Sequence, residues 1–495
     1  MANQLFAKKP LSLLLEEMKG ENRLRRVLGP LSLTSLGVGA IIGTGIFVLT
    51  GVAAHDRTGP ALMLSFVVSG TACIFAALCY AEFASMVPVA GSAYTYAYAT
   101  LGEFFAWIIG WDLVLEYAVG SATVAHGWSH YFQDFIGIFG IKLPHVLTNA
   151  PFDYVDGRIA STGTWFDLPA IVITAIVTTV LVVGIRESAR FNNTMVLIKL
   201  AVVFVVIGVG AFYVNTANWT PFAPYGLTGI SFFGTTLFGQ TGPGGEPVGM
   251  LAGAAVIFFA YIGFDSVSTH AEEAKNPKKD VPIGIITSLI LCTLLYIAVS
   301  AVLTGMVPYN QINIDAPVSN AFAQAGLTWA QLFISLGAVA GITSVLLVMM
   351  LSQPRVLLAM ARDGLVPPSF FGDVHEKFRT PWKSTILTGV FVASASAIIP
   401  LRILAELVNI GTLLAFVIVC AAVLIMRKTN PEAERPFRVP FAPLTPILGI
   451  GLCLLLMFSL PAENWWRLFG WLALGFLIYF GYGRKHSVMS KQSHK

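Results

Sequence analysis

Four acids, one lysine and a pair of histidines interrupt long apolar runs in this 495-residue sequence: Glu82, Asp112, Glu116, Asp265, Lys199, His126 and His130. Ionisable groups at membrane depth are expensive, so each is a candidate for ion, proton or ligand chemistry. Lys199 follows Val196, Leu197 and Ile198, and it is the only basic residue inside such a run. A buried lysine, unlike an arginine, can give up its proton, which makes it a candidate for proton coupling. The alternative is an anchor that snorkels to the nearer face. Asp112 and Glu116 are four apart and share one helix face. Glu116 and Asp265 are the candidates for selectivity or gating. Glu82, near the end of its run, reads as a structural or interfacial acid. His126 and His130 have ligand-like spacing but show no third ligand, so a solvated helix end is expected rather than a metal site. No nucleophile–base constellation is present, which leaves an enzyme reading without support.

Glycine placement adds a second kind of candidate. The run over residues 31–54 contains Gly37, Gly39, Gly43, Gly45 and Gly51. Glycine is the poorest helix former after proline, so the helix is expected to open at Gly43-Thr44-Gly45. Opened backbone at membrane depth is tolerated only where protein or a polar ligand satisfies it. The freed N–H groups would head a half-helix whose positive end seats a carboxylate. Close helix packing through small residues is the competing explanation. A dinucleotide loop is excluded because no strand precedes the glycines. Gly263 interrupts a second run in the same way, after Phe258-Phe-Ala-Tyr-Ile262 and before Asp265 and Ser266.

The elements that must position these residues are membrane helices. The chain is 56% hydrophobic and 11% charged, against about 25% charged in soluble domains. An all-α polytopic membrane protein follows. The five cysteines all fall in apolar runs and suggest neither a disulfide framework nor a metal site. No cleavable signal is visible at the N-terminus; residues 11–15 read as a short cytoplasmic interfacial helix. Twelve spans are expected: 30–54, 60–84, 93–132, 167–185, 193–214, 249–271, 282–306, 318–361, 382–400, 403–426, 442–460 and 464–483. With both termini cytoplasmic, inside segments hold 24 Lys and Arg and outside segments five, Lys199 being the one left in a span. That bias supports this orientation. The two glycine-broken spans, first and sixth, are five apart, as are the two over-long ones, third and eighth. Interrupted spans at corresponding places point to an inverted repeat with a midplane binding site. The division is then a cytoplasmic segment 1–29, a first repeat 30–214, an outer loop 215–248, a second repeat 249–426, two extra spans in 427–483, and a tail 484–495.

These residues resemble the amino acid–polyamine–organocation superfamily. The resemblance rests on Gly39-Ala-Ile-Ile-Gly-Thr-Gly-Ile-Phe47, on Phe259-Ala-Tyr-Ile-Gly-Phe-Asp265 and on Glu272-Glu-Ala-Lys-Asn-Pro277. Cys79-Tyr-Ala-Glu-Phe-Ala-Ser-Met-Val-Pro-Val-Ala-Gly-Ser-Ala-Tyr94, Pro354-Arg-Val-Leu-Leu-Ala-Met-Ala-Arg-Asp-Gly364 and Asn409-Ile-Gly-Thr-Leu-Leu-Ala-Phe416 narrow it to bacterial relatives of the cationic amino acid transporters. It covers about residues 30–460. It implies a 5+5 inverted-repeat transporter with discontinuous helices 1 and 6 and two extra helices, taking up L-amino acids. It implies that the substrate carboxylate meets Gly43, Thr44 and Gly45, and its ammonium the carbonyls of Ile41, Phe259 and Ile262, with Ala260 and Gly263 completing the broken segment. It also implies that Lys199 couples transport to protons, taking the place a sodium ion holds in other relatives. Neutral and small substrates are the first expectation. Cationic ones, by transport or exchange, are the second, and a non-transporting amino acid sensor is the alternative of another class. No cofactor beyond the coupling proton, no metal and no nucleic acid is expected. The plasma membrane of a bacterium is the expected location, and a monomer is a sufficient unit.

Overall fold

The computed structural model describes residues 5–10, 28–86, 92–155, 158–184, 189–232 and 235–489. The interfacial helix expected over 11–15 lies outside them. Among the described residues, seven helical runs are long and apolar enough to cross a membrane, or eight if one pair bent by 111° counts as a single span. Three shorter apolar helices accompany them.

Helix α1 (Pro30–Ile41) begins with a proline at its first position, where no donor is lost, and stops at the expected glycines. The chain resumes as a π-helical turn, Gly45–Leu49, and then α2 (Thr50–Ala53). It turns at Gly59, whose φ of 60° suits glycine, into α3 (Leu62–Met86). Then come α4 (Ser92–Thr100), α5 (Glu103–Ile138), α6 (Leu168–Val183) and α7 (Ala189–Gly210). The second half opens with α8 (Met250–Ile257), interrupted before α9 (Ser266–Thr269). It continues through α10 (Pro277–Met306), α11 (Pro317–Gln324), α12 (Thr328–Arg362), α13 (Trp382–Ile398) and α14 (Leu401–Thr429). The bent pair α15 (Leu444–Phe458) and α16 (Ala462–Ile478) follows. The outer segments between α5 and α6 and between α7 and α8 fold into short antiparallel hairpins, β1 (Phe152–Val155) with β2 (Arg158–Ser161) and β3 (Ile230–Phe232) with β4 (Thr235–Phe238).

Two expected spans are corrected here. The run 93–132 is not one helix: it breaks between α4 and α5 at Gly102, with φ of 106°. The run 318–361 likewise breaks between α11 and α12 at Gly326, with φ of 76°. In each case a left-handed backbone that glycine adopts readily ends a helix of eight or nine residues and starts one of 35 or 36. A nine-residue helix rises only about 14 Å and cannot cross a membrane of about 30 Å. Each split therefore adds a short piece and not a span.

In the interior, α12 packs on α5 and α7, α10 on α3 and α1, and α14 on α5 and α15. Both ends are tied by buried charges. At one end Glu82 of α3 accepts from Arg427 Nε at 3.0 Å and Nη2 at 2.5 Å, and from the Val439 N–H at 2.7 Å. At the opposite end Arg57 is buried and donates to Pro247 O at 2.5 Å and Glu406 at 3.2 Å, while Asn464 donates to the second Glu406 oxygen. Glu82 is buried but Arg427 is 27% exposed, so removing Glu82 leaves Arg427 partly solvated and the Val439 N–H without its acceptor, which costs about 1–3 kcal/mol. Glu82→Ala should therefore lower the thermal midpoint of the detergent-solubilised protein. An unchanged midpoint would show that solvent compensates both groups.

Candidate functional site

Two interrupted helices meet at the centre. In the first, the last backbone bond of α1 runs from Ile42 N to Val38 O, at 3.0 Å. The N–H groups of Gly43, Thr44 and Gly45 have no backbone acceptor among the described residues. In the second, α8 tightens into one 3₁₀ turn, Phe258–Tyr261, and Ile262 is extended. Gly263 then takes φ of 110° before α9. A side chain at Gly263 would sit 3.0 Å from the Ala40 carbonyl oxygen. Both the backbone angle and this close approach exclude larger residues.

The two breaks touch. A Cβ on Gly45 would lie 2.3 Å from Ala260 Cα and 2.5 Å from its Cβ, so the chains pass at glycine distance. Tyr296 of α10 places its hydroxyl 2.9 Å from the Ile41 carbonyl and 3.0 Å from that of Ala260. One phenol thus spans the open carbonyl ends of both breaks. The Phe259 carbonyl accepts from Ile262 N at 3.1 Å. Gly43 faces Val345 of α12, and Thr44 packs against Gly127 of α5 with its hydroxyl buried and unpartnered. Ile41, Gly43, Thr44, Gly45, Phe259, Ala260, Ile262 and Gly263 therefore come together, all of them buried. The space beside the glycines is filled by Ala260 and Val345, so close packing and donor exposure coexist at the same residues.

Lys199 of α7 is fully buried and donates to the Gly39 carbonyl of α1. Its aliphatic stem runs along Gly341 of α12, where an added Cβ would be 3.2 Å from Lys199 Cγ. No carboxylate pairs with it among the described residues. The amine is thus wedged between the first broken helix and α12, and it does not reach either face as a snorkelling anchor would.

The interior acids gather on the α5 side. Tyr117 donates to Asp265 Oδ2 at 2.8 Å. Glu116 is an electrostatic neighbour of Asp265 and lies against Thr412 of α14. Both Asp112 oxygens are buried without a hydrogen bond, near Gly411. Tyr80 closes this region, its ring edge-on to Tyr96, Phe264 and Phe416.

The histidine expectation is corrected. His126 is only 2% exposed, and a third group, the fully buried Asp167, comes close to the pair. The outer segment folds back so that Asp167 caps α6 beside α5. Sequence reasoning also missed Tyr296, Tyr117 and Gly341. A hydroxyl alone in the apolar run Leu294-Leu-Tyr-Ile-Ala-Val299 was the one signal for Tyr296.

A polytopic helical bundle with paired, touching helix breaks and a buried cation beside them is the architecture of a membrane permease. The sequence profile of amino acid permeases matches residues 28–478, and the chain belongs to this family, within the amino acid–polyamine–organocation superfamily. It is similar to the branched-chain amino acid permease BcaP of Bacillus subtilis (strain 168), with 49% identity over 492 residues, covering 99% of this chain and 100% of the relative. It is 46% identical over 489 residues to the methylthioribose transporter of the same strain, with the same coverage. The vacuolar cationic amino acid transporter 4 of Arabidopsis thaliana is 38% identical over 419 residues, 83% of this chain and 65% of that protein. These relatives are transporters, and so is this protein; it is not an enzyme.

Two substitutions test the centre. Gly45→Ala should abolish substrate binding, because its Cβ meets Ala260 backbone, whereas Gly451→Ala, with open space around it, should bind normally. Substrate affinity that survives Gly45→Ala would remove the break from the site. Tyr296→Phe deprives the Ile41 and Ala260 carbonyls of their hydroxyl, which should cost about 1–3 kcal/mol in thermal unfolding and slow uptake. Wild-type stability and uptake in that variant would make the bridge incidental.

Proposed function

We propose that this protein is a secondary active transporter that takes up L-amino acids across the plasma membrane by alternating access, coupled to protons through Lys199. The observation that carries the reading is the opposition of the two breaks. Unsatisfied N–H groups of Gly43, Thr44 and Gly45 face a carboxylate's needs. The carbonyls of Ile41, Phe259, Ala260 and Ile262 offer what an ammonium needs. A zwitterion supplies both charges at the spacing of one Cα, so the α-amino acid head group is the ligand that satisfies both ends. The matched breaks at Gly102 and Gly326, each ahead of a long helix, support a 5+5 repeat relating the halves, and the Lys and Arg bias supports twelve spans with both termini inside.

For the side chain, neutral substrates fit best. Asp265 is already engaged by Tyr117. Glu116 Oε1 and both Asp112 oxygens are buried without a hydrogen bond and are the acids to which a basic side chain would turn. Similarity to a branched-chain amino acid permease favours neutral substrates. A neutral thio-sugar is the second reading, favoured by the 46% identity to a methylthioribose transporter. Such a ligand has no ammonium or carboxylate for the two breaks. Uptake of leucine, valine, alanine, arginine and methylthioribose into proteoliposomes should show saturable transport of the apolar amino acids. Transport of arginine alone, or of methylthioribose alone, would reject it.

Coupling follows from the place of Lys199. A cationic ammonium holds α1 through Gly39 and lies along α12; loss of its proton weakens that link and shifts the balance between inward- and outward-facing states. Lys199→Ala should keep measurable substrate binding but lose the response of uptake to an inward proton gradient. Lys199→Arg should fail too, since a guanidinium stays protonated. Gradient-driven uptake by the alanine variant at the wild-type rate would assign coupling elsewhere.

A further inference from the structure

The outer end of α5 holds a cluster that substrate transport leaves unused. His126 and His130 stand one turn apart with ring centroids 4.8 Å from each other. Asp167, the capping residue of α6, faces them. Its Oδ1 accepts from Ser129 Oγ at 2.6 Å and from Ala170 N at 3.1 Å. Its Oδ2 is buried and accepts no hydrogen bond, and the closest nitrogen, His126 Nδ1, is 3.5 Å away, too far for one. His126 Nδ1 sits 3.1 Å from the Ser396 carbonyl, which fixes the proton there and leaves Nε2 as a lone pair. One donor atom from each of the three residues lies within 4.8 Å of the other two.

We propose that His126, His130 and Asp167 form a binding site for a divalent transition cation of the zinc class. A buried carboxylate oxygen without a donor is costly, and a bound cation would satisfy it. Two imidazoles with one carboxylate suit zinc, cobalt or nickel better than magnesium or calcium, which take mainly oxygen ligands. Bonds of about 2.0–2.2 Å require the three donors to draw in by roughly 1 Å. The cation reaches the site through a polar cavity of about 270 Å³ at this end of the bundle, lined by His130, Gln133, Asp134, Asn313 and Asp315. Asp315 Oδ1 is 3.3 Å from His130 Nδ1, so a carboxylate or a water can take the fourth position. Occupancy joins α5 to the start of α6, one residue from the Gly127 that packs on Thr44 of the first break. A bound cation should therefore also slow transport.

Binding is measured on tag-free, chelator-stripped protein in detergent, by calorimetry with zinc chloride and by the visible absorption of added cobalt. One cation per chain is expected, with an imidazole–carboxylate cobalt spectrum. Affinity should fall at least about tenfold in His130→Ala and Asp167→Asn and be unchanged when the exposed His145 is replaced by alanine. Should Asp167→Asn fail to fold, His130→Ala, at the cavity wall, decides alone. No specific binding by the wild type, or binding that His130→Ala leaves intact, overturns the site and leaves a hydrogen-bonded cluster. Zinc inhibition of uptake that persists in His130→Ala would place any inhibitory cation elsewhere.

Discussion

Backbone polar groups inside a bilayer have no water to turn to, and this bundle leaves two stretches of them open. Everything around residues 42–44 and 258–265 can be read as the answer to that debt. Tyr296 reaches in from α10 to the free carbonyls, Lys199 from α7 to Gly39, and glycines on both chains let the two breaks lie against each other. The donors of Gly43, Thr44 and Gly45 find no backbone acceptor among the described residues. A site built this way is specific because the unsatisfied groups are fixed in number and sign.

Charges are organised in layers around that centre. Near one end Arg57, Glu406, Arg402, Glu246 and Asn464 form one connected set. Near the other end Glu82 holds Arg427, and Glu103 accepts from Tyr98 at 3.0 Å, from Tyr479 at 2.9 Å and from Ser487. These sets fasten helix ends, whereas the middle is bridged by single side chains such as Tyr296 and Lys199 and by van der Waals contact. A bundle whose ends are strongly pinned and whose middle is lightly bridged is suited to having a few discrete arrangements.

The glycine breaks, the sixth-span interruption and the depth of Lys199 were legible because each breaks a strong rule of apolar helices. The split ahead of the long helices was less so. Gly102 and Gly326 follow stretches of Ser, Thr, Tyr, Asn and Gln, but polar residues and a glycine at a helix end do not by themselves tell a glycine that packs from one that turns. The fate of His126 and His130 was not legible at all, since Asp167 lies 37 residues beyond His130 in sequence and reaches them only through a folded outer segment. Tyr296 shows the general difficulty: its role depends on which carbonyls are open opposite it, and that belongs to two other helices.

The lengths of α5 and α12 have a mechanical side. At 36 and 35 residues they measure about 53 Å along the axis, well beyond the hydrocarbon thickness of about 30 Å. Packed against each other, they have the geometry of paired levers. A pivot of roughly 5° about the midpoint would move each tip by about 2.3 Å on a half-length of about 26 Å, while atoms at the fulcrum hardly shift. Small rearrangements among side chains at the centre, too slight to loosen the packing there, are thereby magnified into the width of a water-sized gap at either mouth.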